Sequence, residues 1–231
     1  MCGRYTQYSD AESIVQLVAS MGASCGPLPP LTKRYNIAPT QLAWVLVSAE
    51  FEDTAPLQLL VAPMAFGFRP KFMAHGVINA RAETVEQKPM FRRALTARRC
   101  LILASGFYEW AQGPGKIKQP YHFTLKDKRP FAFAGLYRRT EAGDVGAEQV
   151  EAEFVIITTT ANDCVAPVHG RMPVMLNNDA ARLWIGPQTP LPALTALLQP
   201  YPSQAMSAVP VHTYVNRPSH DAEDCIQPMT G

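Results

Sequence analysis

Apolar positions along the chain follow two rhythms. One is helical. In "SDAESIVQLVASMG", Ile14, Leu17, Val18 and Met21 recur at three- and four-residue spacing behind Ser9 or Asp10, either of which can cap the first turn, and Gly22 marks the stop. The other rhythm is that of short strands. "LAWVLVS", "LQLLVAP", "CLILA", "YHFTL", "FAFAGLY" and "EFVIITTT" are rich in β-branched and aromatic residues, with Pro, Gly or polar breaks between them. "NDAARLWIG" and "PALTALLQ" predict two short helices, capped by Asn178 and led in by Pro192, and "SAVPVHTYVN" returns to strand character. No regular β-α-β alternation appears, which excludes a doubly wound fold. The pattern predicts an α+β fold: a mostly antiparallel, barrel-like β-sheet core with peripheral helices. The 21 prolines are spread along the chain, no segment repeats, and no long low-complexity linker divides it. One domain over 1–231 is the expectation.

Composition narrows the function more than the fold. Of 231 residues 47% are apolar and 17% charged, enough for a sizeable core and too ordered a mixture for bulk disorder. The net charge of +2 neither demands nor excludes a nucleic-acid partner, so an anion site would have to be a local patch. The densest one is "FRRALTARRC", with Arg92, Arg93, Arg98 and Arg99, which reads equally as a solvated helix face. Five cysteines, odd in number, widely spaced and without a C-x-x-C pair, speak against a disulfide framework or a zinc ribbon. There is no basic and apolar leader behind Met1 and no run of eighteen apolar residues, so a cytoplasmic, reduced, membrane-free protein is expected. G-x-G-x-x-G and Walker patterns are absent; no cofactor and no metal are expected.

Five stretches carry candidate chemistry. The chain opens "MCGRYT". Methionine before a small residue is normally removed, which would leave Cys2 with a free α-amine and a thiol two carbons apart. Their unperturbed pKa values, about 8 and about 8.5, leave both partly nucleophilic at neutral pH. Together they have a special target in an aldehyde: the amine forms an imine and the thiol closes on its carbon to give a thiazolidine. A buried, inert thiol is the alternative. In "GVINARAET", Asn79, Arg81 and Glu83 would share one face of a strand, either as a satisfied polar network or lining a pocket in which Arg81 offers a forked donor to phosphate. In "ASGFYEW", Glu109 sits between Tyr108 and Trp110 after a flexible Gly106, a setting for a raised pKa and acid–base work, or else for a surface ion pair. In "APVHGRMPVML", His169 lies in a turn bounded by Gly and Pro, as a proton shuttle or as a structural histidine. "KRYNIAPTQ" holds a Tyr-Asn-x-x-Pro turn of the kind that contacts ligands.

Taken together, MCGR, YNIAPT, INARAET, GFYEW, HGRMPV and the closing VNRPSHDAEDCIQP resemble, in content and order, the motifs of SRAP-domain proteins, the SOS-response-associated, abasic-site-processing family. The resemblance runs from Cys2 to about Pro228. It implies binding of single-stranded DNA containing abasic sites, nucleoid-associated when bound; a monomer is the expectation, because one chain suffices for that chemistry. It also implies a lyase-like crosslinking activity in which Cys2 closes a thiazolidine on the ring-opened sugar. Asn79 would hold the Cys2 amine and the sugar, Glu109 would move protons during imine formation, and His169 would protonate the sugar oxygen. Thr158 falls where the family places a small hydroxyl near the glutamate. Arg4, Arg81 and Arg171 would bind flanking phosphates, while Pro39 and Trp110 would stack or wedge against bases. Where the family shows Trp-Gly-x-x-Pro-x-Trp this chain has "FGFRPKF", so Phe66 and Phe72 would stack with smaller faces, and Arg69 and Lys71 would add phosphate contacts.

Three other readings stay open on the residues alone. "MCG" also opens the class II glutamine amidotransferases, although Arg4 and Tyr5 replace the apolar strand residues usual there. The Glu109–His169 pair suits amide hydrolysis, including self-removal of residues ahead of Cys2. A single-stranded DNA binding module with an unreactive Cys2 is the third.

Overall fold

The computed structural model describes residues 2–49, 57–73, 75–112, 118–141 and 151–229. Its first half holds β1 (Tyr5–Gln7), α1 (Ala11–Ser20), β2 (Ser24–Cys25), β3 (Arg34–Ile37), β4 (Leu42–Ser48), β5 (Gln58–Phe66), β6 (Asn79–Arg81), α2 (Pro89–Ala97) and β7 (Arg99–Ala104). The second half holds β8 (Gly106–Gln112), β9 (Lys118–Leu125), β10 (Phe131–Arg139), β11 (Ala152–Thr160), β12 (Arg171–Pro173), β13 (Met175–Leu176), α3 (Asn178–Ile185), α4 (Leu191–Ala196) and β14 (Met206–Pro210).

Two sheets result. The smaller runs β14-β9-β8-β1-β3, and the larger runs β12-β11-β10-β7-β4-β5-β2, with β13 on β10 and β6 on β11. Pairing is antiparallel except for β2 on β5 and for β11, which takes β5 and β6 in parallel. The contact between β11 and β5, Glu153 opposite Ala65 and Phe154 opposite Phe66, bends the larger sheet back on itself. It is partly ring-like without being a closed barrel.

Central strands of this sheet are buried on both faces, which is why they read as unbroken apolar runs and not as alternating ones. In β10, Phe131 and Phe133 face the core between the sheets while Ala132, Ala134 and Leu136 face the helices. β7 divides likewise, with Cys100, Ile102 and Ala104 inward and Leu101 and Leu103 toward the helices. The helices stay at the periphery: Ile14, Leu17 and Val18 of α1, Phe91 and Leu95 of α2 and Trp184 of α3 cover that second face.

The helix ends differ slightly from the sequence reading. Asp10 caps α1, accepting from the Ser13 N–H at 2.8 Å, and Gly22 takes a positive φ of 68° just beyond it. α3 is capped by Asn177, not Asn178: its side chain accepts from the Ala180 N–H. "SAVPVHTYVN" is strand only to Pro210, after which the chain coils into a 3-10 turn, Thr213–Asn216, that sends Val215 into a small core with Tyr108, Val211 and Cys225. Gly106 is a close-packing residue and not a flexible one, since a Cβ there would lie 2.3 Å from His122 Nε2 and 2.7 Å from the Phe123 carbonyl. No helix among the described residues is long and apolar enough to cross a membrane.

Candidate active site

The site forms where the two sheets meet. β1 pairs with β8 through Tyr5–Phe107 and Thr6–Gly106, and the Tyr108 N–H donates to the Arg4 carbonyl, so the first residues of the chain run alongside the strand that carries Glu109. β6 lies parallel to β11 with Asn79 opposite Ile156, which delivers Asn79 from the other sheet. The Asn79 amide nitrogen donates to the Cys2 carbonyl at 3.0 Å and leans on the Ile156 carbonyl at 3.4 Å. Its Oδ1 is buried and has no partner among the described residues, an acceptor left beside the Cys2 backbone.

Cys2 and Glu109 are both buried. Burial pushes the Cys2 thiol well above its ordinary value, and the negative charge of Glu109 adds to the push, while the positive N-terminus and the Arg4 backbone N–H oppose it. The thiol is therefore a neutral S–H at neutral pH. Burial likewise lifts the Glu109 carboxyl to about 7, against the pull of the N-terminal amine. Its Oε2 lies 3.9 Å from His169 Nδ1. That ring nitrogen is 3.1 Å from both the N–H and the carbonyl of Arg171, so the backbone holds the imidazole in either tautomer. A carboxyl that titrates near neutrality, next to an anchored imidazole and a chain terminus, is an acid–base pair suited to chemistry at that terminus.

Thr158 and Arg171 close the next layer. Strand pairing sets Thr158 opposite Pro173 and Thr160 opposite Arg171. Arg171 Nη2 donates to the Thr158 carbonyl at 2.7 Å and reaches its Oγ1 at 3.3 Å. The same guanidinium grips Glu83 in a fork, at 2.5 Å and 3.0 Å, and holds that carboxyl below its usual range. Here the sequence reading needs correction. β6 ends at Arg81, so Glu83 does not share a strand face with Asn79 and Arg81; it sits in the following turn as the partner of Arg171. Arg81 itself is exposed.

The remaining expected contacts divide. Arg4 is held by Asn36 Oδ1 at 2.8 Å and by the carbonyls of Val215 and Asn216 at 2.5 Å and 3.4 Å. Trp110 is half-buried, its indole N–H on Asn216 Oδ1 at 2.7 Å. Pro39 is half-buried beside Thr40, whose φ of 76° shapes the turn into β4. Phe66 is fully buried and stacks on Phe154 at 5.2 Å, so it has no face to offer a base. The parallel strand contact draws it into the core. Phe72, by contrast, is 77% exposed. Arg69 is turned inward as well. It and Arg138 converge on the buried Glu153, with Nε–Oε contacts of 3.3 Å and 3.0 Å. In the basic run, Arg92 and Arg93 are exposed on α2. Arg99 is buried and donates to the carbonyls of Leu95, Thr96, Trp184 and Gly186, tying the ends of α2 and α3 together.

Asp221 is the residue that sequence reasoning passed over. It pairs with the Arg34 side chain and accepts from the backbone N–H groups of Tyr35 and Asn36 at 2.5 Å and 2.8 Å. Asn36 in turn donates to the carbonyls of Val215, Arg217 and His220. The YNIAP and VNRPSHD motifs are thus two halves of one clasp, which their joint presence in the sequence hinted at without giving the pairing.

Comparison with known proteins gives the family. The family described as SOS response associated peptidase (SRAP) matches residues 1–218. The chain belongs to the SRAP family. Among similar SRAP relatives, a protein of Bacillus subtilis (strain 168) named abasic site processing protein YoqW is 34% identical over 231 residues, covering 98% of this chain and 99% of that one. Abasic site processing protein YedK of Escherichia coli (strain K12) is 32% identical over 189 residues, covering 80% and 79%. A solved protein of Bacteroides thetaiotaomicron superposes with a TM-score of 0.79 at 22% identity over 99% of this chain and 100% of its own, a likeness of fold. A phage-related protein of Bordetella bronchiseptica gives 0.70 at 29% identity over 91% and 94%.

Proposed function

We propose that this SRAP chain captures abasic sites in single-stranded DNA as a thiazolidine on Cys2. The observation that carries the reading is the buried Glu109 carboxyl, lifted to about 7 beside Cys2 and 3.9 Å from His169. The names of the relatives support the substrate.

Removal of Met1 frees the Cys2 amine. His169 gives a proton to the ring oxygen of the deoxyribose as its anomeric hydroxyl loses one, which opens the sugar to an aldehyde. Glu109 takes the proton of the Cys2 ammonium and the amine adds to the aldehyde carbon. The same carboxyl returns the proton to the carbinolamine hydroxyl, which leaves as water, and a protonated imine remains. The thiol then adds to the imine carbon and its proton passes to the nitrogen. One C–N bond and one C–S bond form, one water is lost, and no oxidation state changes. The order follows from the electrostatics: the thiol is kept protonated by burial, so the amine leads. Asn79 steadies the Cys2 backbone, while Arg4, Arg81 and Arg171 face the flanking phosphates, Arg171 by sharing its fork with Glu83. Pro39 and Trp110 meet the adjoining bases, and the exposed Phe72 joins them in place of Phe66.

The test is a denaturing gel of the processed protein with single-stranded DNA holding one abasic site. A band that survives denaturation is expected, lost in Cys2→Ala and slowed in His169→Ala. A stable band from Cys2→Ala refutes the thiazolidine, and an unchanged rate in His169→Ala removes its ring-opening role. The same acid–base pair would also serve release of residues placed ahead of Cys2; mass spectrometry of a variant with added N-terminal residues reads this, and no release ends that reading.

A further inference from the structure

We propose that the rings of His212, Tyr214 and His220 form a platform on which bases of the bound strand stack beside the Cys2 site; this rests on the DNA-binding reading above. Tyr214 is 51% exposed, although the next residue, Val215, is buried and anchors the turn by itself. The tyrosine ring is not needed for the core. It touches two imidazoles: His212 stacks on it at 5.3 Å and 24°, and His220 tilts against it at 5.5 Å and 46°. Tyr214 is exposed and both imidazoles are half-buried, so the three adjoining rings reach the surface together.

The surface is held firmly and next to the proposed DNA groove. Asn36 binds the carbonyls of Val215, Arg217 and His220 at 3.1, 3.0 and 2.7 Å. Arg4 binds Val215 from below and Trp110 binds Asn216 at 2.7 Å. The ring column is therefore continuous with the two residues expected to meet phosphate and base. The charges around it are mixed: Arg217 is exposed on the same turn and Asp221 is paired with Arg34, while Asp224 is 2.8 Å from His220 Nε2 and Glu223 is exposed. Aromatic faces bind bases of any sequence, so such a platform adds affinity without sequence preference.

The experiment measures binding of a short, undamaged, fluorescein-labelled single strand by anisotropy, which needs no Cys2 chemistry. Tyr214→Ala should weaken binding about tenfold and Tyr214→Phe should stay within about twofold of the parent. His212→Ala should fall between them. With 2-aminopurine in the flanking positions, the parent and Tyr214→Phe should quench its fluorescence and Tyr214→Ala should not, a stacking signature that a structural role would not move. If the parent binds and crosslinks while Tyr214→Ala matches it in affinity and quenching, the platform is refuted and the Cys2 reading stands. If the parent neither binds nor crosslinks single strands, both fall.

Discussion

Replacing Glu109 by glutamine tests the electrostatics of the site in two independent ways. The carboxyl is lifted from its ordinary value of 4.5 to about 7, chiefly by burial. Below pH 4.5 the acid is protonated in folded and unfolded chains alike and contributes nothing to the pH dependence. Between 4.5 and 7 the unfolded chain ionises while the folded one keeps its proton, so stability falls as pH rises, by up to about 1.4 kcal/mol per pH unit. Above 7 both are ionised and the full loss, about 3 kcal/mol, has been taken. The glutamine amide has no such titration. Urea unfolding at about pH 4 and about pH 8 should therefore show the Glu109→Gln variant gaining about 3 kcal/mol relative to the parent between the two conditions. Crosslinking should move the opposite way: the parental rate should rise with an inflection near pH 7 as the base ionises, and the variant should be slower by about 10²–10⁴-fold with that inflection gone. A stability difference that does not change between the acidic and the alkaline condition would show that the carboxyl is not raised, and parental crosslinking by the variant would show that it carries no proton.

Three further outcomes follow from packing. Glu153→Ala leaves Arg69 and Arg138 facing a buried gap and should lower stability by about 3–5 kcal/mol in denaturant, far beyond a surface ion pair; a loss below about 1 kcal/mol would contradict it. Arg99→Met abandons four carbonyls and should cost about 2–4 kcal/mol without changing the affinity for single-stranded DNA, whereas Arg92→Ala on the exposed face should leave stability within about 0.5 kcal/mol; equal effects would mean the two arginines are not divided as described. Gly106→Ala drives a methyl into His122 and the Phe123 carbonyl and should lower the melting midpoint, corresponding to about 1–3 kcal/mol; an unchanged midpoint would mean the strands there have room to part.

The sequence by itself determined much of the framework. Runs such as "FAFAGLY" and "EFVIITTT" specify strands locally, because β-branched and aromatic side chains suit an extended backbone whatever covers them. Asp10 ahead of an amphipathic run specifies a helix start for the same local reason. The candidates for chemistry were legible too, since a cysteine behind Met1 and a glutamate between aromatics carry their chemistry in residue type and position. What tertiary structure decided is which of them meet. Cys2 and Asn79 are 77 positions apart, and Glu109 and His169 are 60 apart; each pair forms only where the two sheets meet, β1 on β8 in one and β6 and β12 on β11 in the other. The same long-range packing overruled expectations drawn from local pattern. It buried Phe66 while leaving Phe72 outside, turned Arg69 onto Glu153, gave Glu83 to Arg171, and made Arg99 a structural tie. An arginine is basic in any sequence; whether its charge meets solvent, a carboxylate or four carbonyls depends on what the fold places within a few ångströms of it, and that no local pattern encodes.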